Sequence, residues 1–142
     1  MVSVISLHYL YSVDILVHKD LKCIGEIIDY VLRNGLSTPK RVYEALDIYF
    51  KRGITRYFID NDGIEGIVLG SSGVHVVRIS NEGYKCTCSD SYTNHYLCKH
   101  ALALLYQVLN DKRTQDRALA IVLNMLNSTE NIKEIPIAVF SY

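Results

Sequence analysis

The spacing of the hydrophobic positions changes several times along this 142-residue chain and divides it into extended and helical segments. Residues 2–17 alternate loosely between apolar and polar side chains, which predicts a strand or hairpin over residues 1–20. Apolar residues then recur at helical spacing from Ile24 to Leu32, and Gly35 is expected to end this first helix. The chain is therefore predicted to begin with an extended segment that leads into a helix.

A second helix is predicted from its start and stop signals. Thr38 is a suitable N-cap because its side-chain oxygen can accept a hydrogen bond from a free backbone N–H of the first turn. Pro39 fits the first helical position, where an N–H is not needed, and Gly53 is expected to end the helix. The predicted apolar stripe of this helix consists of Val42, Ala45, Leu46, Tyr49 and Phe50.

Short extended runs joined by turns follow between residues 57 and 86, and they predict an antiparallel meander of three or four strands. Helical spacing returns over residues 101–109 and 118–126, and the tail over 132–142 is expected to be an edge strand because it contains Pro136. The predicted fold class is α+β, with two N-terminal helices, the antiparallel meander, a helix after the meander and a C-terminal helix. Its length fits one domain over residues 1–142.

Composition and charge narrow the functional classes. Fifteen basic and fifteen acidic residues cancel, so bulk electrostatics does not favour strong DNA binding, and any such binding would need a local basic patch. The N-terminus lacks the basic region of a signal peptide, and no apolar run approaches the ~18 residues of a membrane span. The chain is predicted to be cytoplasmic or otherwise intracellular.

One cluster of cysteine and histidine residues points to a metal site. Cys86 and Cys88 are one residue apart, and after nine further residues Cys98 and His100 repeat that spacing. Three thiolates and an imidazole complete the tetrahedral set that zinc prefers, with no position left for water. Alternate residues of a strand share a face, and Cys98 can precede a helix whose first turn holds His100. The sequence therefore predicts one structural Zn²⁺ that joins the last strand to the following helix in a ββα unit.

Other interpretations of the cysteine and histidine residues remain open. His95 lies in the intervening loop and could replace His100 as the fourth ligand. The cysteines could also be plain buried thiols, whereas a disulfide framework would spread them along the whole chain. Cys23 is left over and is interpreted as an ordinary core or surface thiol.

Enzyme motifs are lacking in the sequence. It contains no glycine-rich phosphate loop, no His-Glu-x-x-His and no glycine-flanked serine elbow of the form Gly-x-Ser-x-Gly. A zinc deaminase needs a glutamate two residues after a ligating histidine, but Leu102 stands there after His100. The chain is therefore predicted not to be an enzyme.

The Cys-x-Cys and Cys-x-His pairs, followed by an apolar helix, resemble the signature of the SWIM zinc-finger family. The segments 45–54, 66–73 and 98–103 are also similar to the family, so the resemblance covers residues 41–110, with the finger at 84–110. His75 lies in a strand where the family often has a tyrosine. The resemblance implies a structural zinc ion and contact with protein or DNA.

As a small chain with little beyond its SWIM-like region, this protein resembles the Shu-complex type of the family, and this resemblance implies a more specific role. The partners of proteins of that type are paralogues of RecA-family recombinases in homologous recombination and repair, so the chain is expected to be an adaptor with such a partner. One alternative is a DNA-binding regulator of transcription or transposition that works alone, and another is a purely structural subunit.

Basic and aromatic residues near the finger are candidates for contact with a partner or with nucleic acid, the tyrosines by stacking on bases. They are Lys85, Lys99, Lys112, Arg113, Arg117, Tyr92 and Tyr96. A solvated face is the competing interpretation, because Asp90, Asp111 and Asp116 lie nearby and weaken the positive field.

Overall fold

The computed structural model describes residues 22–129, and within this range it has five helices and a four-stranded antiparallel sheet. The α+β class is confirmed, whereas the strands predicted over 1–20 and 132–142 lie outside the described residues. No helix within 22–129 is long and apolar enough to cross a membrane. The elements are α1 (Ile24–Arg33), α2 (Pro39–Phe50), β1 (Ile54–Ile59), β2 (Gly63–Gly70), β3 (Gly73–Ser80), β4 (Gly83–Cys86), α3 (Ser89–Thr93), α4 (Lys99–Leu109) and α5 (Gln115–Thr129).

Helix α1 ends as the sequence predicts. Gly35 adopts a left-handed φ of +68°, and the N–H of Leu36 donates to the carbonyl of Val31 at 2.9 Å. This pattern satisfies carbonyl groups that the end of a helix would otherwise leave unpaired. Helix α2 begins as predicted too, because the N–H of Arg41 donates to Oγ1 of Thr38.

Helix α2 ends differently from the prediction. The left-handed residue is Arg52, with φ of +60°, and the N–H of Gly53 donates to the carbonyl of Ile48 at 2.8 Å. Gly53 is required for a different reason, since a Cβ there would lie 2.6 Å from Cγ2 of Ile48 and 2.8 Å from the carbonyl oxygen of Leu69. Close contact with β2, rather than backbone freedom, selects glycine at this position.

The apolar stripe predicted for α2 is partly wrong. The buried side chains are Val42, Ala45 and Ile48, and Phe50 is 73% exposed. A helix turns by about 100° per residue, so Phe50 lies roughly 200° around the axis from Ile48 and points away from the core. The buried face of α2 packs against α4.

The sheet has the strand order β1-β2-β3-β4, with each strand antiparallel to the next. Alternate side chains form an inner face, where Ile64, Val68, Val77 and Ile79 are fully buried. Helices α4 and α5 pack on this inner face. A Cβ on Gly66 would lie 2.7 Å from Cδ1 of Leu104, so α4 passes very close to β2.

We predict that Gly53→Ala lowers the free energy of unfolding by about 1–3 kcal/mol, because the added methyl group would overlap Ile48 and a backbone carbonyl that cannot easily move. Urea unfolding of the zinc-loaded chain measures this. Gly25→Ala is the matched control, since a Cβ there has nothing within 4 Å and alanine favours the helix. Equal stability of the two variants would contradict the packing argument.

Candidate metal centre

The end of β4 and the start of α4 bring the four predicted zinc ligands together. Cys86 is the last residue of β4, Cys88 is the N-cap of α3, Cys98 is the N-cap of α4, and His100 lies in its first turn. All four are buried, and their candidate ligand atoms lie within 4.8 Å of one another. A sulfur and a nitrogen ligand of a tetrahedral zinc ion lie about 3.6 Å apart, given Zn–S bonds of about 2.3 Å and Zn–N bonds of about 2.0–2.1 Å. Sγ of Cys86 lies 3.8 Å from Nδ1 of His100, which fits such an ion.

The cluster contains His100 and not His95, which the sequence left open as a ligand. Cys23 lies apart from the cluster and is exposed, with its thiol 3.5 Å from a carboxylate oxygen of Glu26. All four cysteines are free thiols, so no disulfide competes with metal binding. The donor set of three sulfurs and one imidazole suits zinc better than magnesium or calcium, which prefer oxygen ligands.

Hydrogen bonds among the three thiols of the cluster shift their pKa values in different directions. Hydrogen bonds from the thiols of Cys86 and Cys98 lower the pKa of Cys88. Hydrogen bonds to Cys86 and Cys88 raise the pKa of Cys98, and the hydrogen bond to Cys88 raises the pKa of Cys86 to about 12. A bound cation favours the thiolate at every sulfur, so zinc binding releases protons and weakens as the pH falls.

Two hydroxyl groups fix the backbone on either side of the cluster. The hydroxyl of Ser91 donates to the carbonyl of Cys86 at 2.7 Å and lies 3.1 Å from that of Cys88. The buried hydroxyl of Tyr84 donates to the carbonyl of Tyr96 and accepts the N–H of Cys98 at 3.2 Å. Burial raises the pKa of Tyr84, so it stays neutral and keeps both roles. Both groups therefore hold ligand-bearing backbone in place.

Contacts from α2 and the α1–α2 loop hold the loop between the cysteine pairs. The guanidinium of Arg41 binds the carboxylate of Asp90 through two hydrogen bonds of 2.8 and 2.6 Å, and it lies 4.7 Å from the ring centre of Tyr96. The N–H of Leu97 donates to the carbonyl of Leu36 at 2.8 Å. These contacts could not be predicted from the sequence, because 49 residues separate Arg41 from Asp90. Helix α3 was also missed, since five residues show no period.

The predicted contact residues do not form one patch. Nη2 of Arg117 donates to the carbonyl of Ile59 at the end of β1, whereas Lys85 lies on β4, at the opposite edge of the sheet. Three strand spacings, about 14 Å, separate these edges. Arg113 is paired with Asp111 at 2.9 Å and follows Lys112 in the α4–α5 loop, and Lys99 is in the first turn of α4. Tyr92 is partly exposed, while the ring of Tyr96 is covered by Arg41.

Comparison with known families gives one match. Residues 75–109 match the family model of the SWIM zinc finger. This segment runs from His75 in β3 to Leu109 at the end of α4 and contains all four residues of the cluster. The match and the buried cluster together support one structural zinc ion. No curated protein and no solved structure shows a significant match to this chain.

We expect Cys98→Ser to release zinc and to lower the free energy of unfolding by at least about 3 kcal/mol, because zinc sites of this kind contribute as much as ~10–16 kcal/mol. Elemental analysis and urea unfolding measure the two effects. Cys23→Ser, at an exposed cysteine outside the cluster, should change neither. Full zinc occupancy in Cys98→Ser would show that Cys98 is not a ligand.

Tyr84→Phe should lower the free energy of unfolding by about 1–3 kcal/mol, because it leaves the buried N–H of Cys98 and the carbonyl of Tyr96 without their partner. Zinc should remain bound in stoichiometric amount. Tyr43→Phe removes an exposed hydroxyl and should stay within about 0.5 kcal/mol of the native chain. If both variants unfold at the same urea concentration, the Tyr84 hydroxyl does not support the site.

Proposed function

We propose that this chain, whose residues 75–109 match the SWIM zinc finger, is an adaptor whose partner is a RecA-like recombinase paralogue in homologous recombination or repair. The zinc finger and its metal cluster support an interaction role. The partner class comes from the family resemblance of small SWIM proteins. We further propose that residues 1–142 act as one intracellular domain, with the SWIM-like region spanning 41–110.

The proposed metal ligands argue for a structural rather than a catalytic ion. Cys86, Cys88, Cys98 and His100 supply four protein donors, which fill the coordination of zinc and leave no position for water or substrate. The SWIM zinc finger is a non-catalytic binding domain. We therefore propose that the chain acts by binding and has no enzymatic activity.

The observation that carries the adaptor proposal is an apolar surface on the outer face of the sheet, the face opposite α4 and α5. Phe58 on β1, Leu69 on β2 and Val74 on β3 are 52%, 51% and 64% exposed. Leu69 and Val74 are directly paired across the strands. Apolar side chains gathered on an exposed face are typical of surfaces that bind another protein.

Charged residues lie beside these apolar residues on the outer face. Phe58, Glu65, Arg78 and Lys85 form one row across the four strands. Arg78 pairs with Glu65 at 3.5 Å and with Asp60 at 3.5 Å, so its charge is compensated within the protein. Charges of both signs beside exposed apolar side chains suit a protein partner better than a phosphate backbone.

Nucleic-acid binding is the alternative function, either as a further ligand of the adaptor or in a DNA-binding regulator of transcription or transposition. Of its candidate residues, Lys85 and Arg117 lie at opposite edges of the sheet, and Arg113 is already paired with Asp111. Spread in this way over the described part of the chain, these residues could contact few phosphates at once. These observations favour a protein as the main ligand.

We predict that a purified RecA-family ATPase paralogue binds the full chain and that Val74→Asp weakens this binding at least tenfold, because a carboxylate would be buried in the apolar contact. Val74 is mostly exposed, so the variant should fold normally. Ala120→Asp is the matched control: it places the same charge at an exposed position of α5, and α5 packs on the other face of the sheet. Calorimetric titration measures the affinities.

Two results would contradict the adaptor proposal. One is the absence of ATPase binding by the zinc-loaded native chain, and the other is an equal affinity of Val74→Asp and Ala120→Asp. Labelled single- and double-stranded DNA should bind weakly in the same buffers. Tight DNA binding that falls steeply with salt and ignores Val74→Asp would instead favour the DNA-binding regulator.

A further inference from the structure

The imidazole of His100 has a defined orientation in the cluster. Its Nδ1 lies 3.8 Å from Sγ of Cys86, on the side of the thiols. Its Nε2 is buried and has no hydrogen-bond partner among the described residues. A Cβ on Gly70 would lie only 2.7 Å from Nε2, so this side of the ring faces the end of β2. We infer that Gly70 and His75 position His100 so that Nδ1, and not Nε2, is its zinc-binding atom.

Gly70 contributes by leaving space for the ring. It is the last residue of β2 and lies on the inner face, in line with Ile64, Gly66 and Val68. A methyl group there would also lie 3.2 Å from Cδ2 of His100. His100 is 2% exposed and sits in the first turn of a buried helix, so the ring cannot move aside without displacing its nitrogen atoms from the thiols. A close approach is thus the reason for glycine at position 70.

His75 contributes by stacking on the ring. The centres of the two imidazoles are 4.2 Å apart, and their planes differ by 33°. Two side chains hold His75 in turn: Oγ of Ser72 lies 2.9 Å from its Nε2, and Oγ1 of Thr87 lies 3.3 Å from its Nδ1. Thr87 stands between the two cysteines of the first pair, so the stacked ring is linked to the ligand-bearing segment.

The three contacts together restrict the ring on three sides: thiols at Nδ1, the backbone of Gly70 at Nε2, and His75 on one face. Ligating histidines are usually oriented by an acceptor for their other ring N–H, and losing that neighbour typically costs 10–100-fold in metal affinity. Here close packing and stacking take the place of that acceptor. The inference concerns the zinc site alone and does not depend on the proposed partner. The inference also states which ring nitrogen of His100 is protonated, because a neutral imidazole that binds metal through Nδ1 carries its hydrogen on Nε2.

Nitrogen NMR of the zinc-loaded full chain tests the orientation directly. With ¹⁵N-labelled histidine, long-range ¹H–¹⁵N correlations should show His100 protonated at Nε2 and metal-bound at Nδ1. After exchange of zinc for ¹¹³Cd, coupling to the metal should appear at the Nδ1 resonance. Protonation at Nδ1 with metal coupling at Nε2 would overturn the inference, and this result needs no variant that might fail to fold.

A pair of glycine variants tests the positioning role. Gly70→Ala should weaken zinc affinity at least tenfold, measured by competition with a chromogenic chelator, and should change the His100 nitrogen shifts. Gly66→Ala is matched to it, since its Cβ would also approach a side-chain atom at 2.7 Å, but that atom belongs to Leu104. Gly66→Ala should lower stability and leave the His100 shifts and zinc affinity unchanged. Identical zinc affinity and shifts in Gly70→Ala and the native chain would overturn the role of Gly70.

Replacements of His75 separate stacking from mere packing. His75→Phe keeps an aromatic ring over His100 and should keep zinc affinity and the His100 shifts close to native. His75→Ala removes the ring and should weaken zinc binding about 10-fold or more. Native affinity in His75→Ala would overturn the role of His75.

Discussion

Coordination of one ion by three sulfurs and one imidazole is the interaction on which the rest of this fold depends. Four buried polar side chains meet where β4 ends and α4 begins. Burial of several thiolates without a cation would be costly, because their charges repel and lack solvent. A bound zinc ion compensates these charges and cross-links the sheet to the helix. Part of its binding free energy then contributes to the free energy of folding.

Helix α4 connects the zinc site to the core, because it bears His100 and is itself largely buried. Residues 101–105 of this helix are fully buried, so α4 contacts neighbours on all sides. It packs against α2, against α5 and against the inner face of the sheet. With one face of the sheet covered by α4 and α5, the opposite face keeps Phe58, Leu69 and Val74 exposed. The zinc site therefore helps to determine which face of the sheet is covered and which stays exposed.

Local signals explain which features could be predicted from the sequence. Helix caps at Thr38 and Gly35, the short strands and the spacing of the cluster depend on near neighbours, and the structure agrees with each. Phe50 was predicted to be part of the buried stripe of α2 because its side chain is apolar. Its exposure depends on how α2 packs against α4, which the spacing of apolar residues does not reveal.

Features that depend on distant residues could not be predicted. The contact of Gly70 with His100 and the pair of Arg41 with Asp90 arise only when strands and helices are assembled. Lys85 and Arg117 both lie near the finger in sequence but at opposite edges of the sheet, because a four-stranded meander separates its first and last strands. Nearness along the chain was thus a poor guide to a shared surface.

Zinc content combined with thiol reactivity tests the central claim most directly. Freshly purified native chain should contain one zinc ion per molecule, and a thiol reagent should modify only Cys23 until a chelator or denaturant is added, because Cys86, Cys88 and Cys98 are buried as ligands. Protein without stoichiometric zinc, in which all four thiols react at once in the native state, would contradict the account.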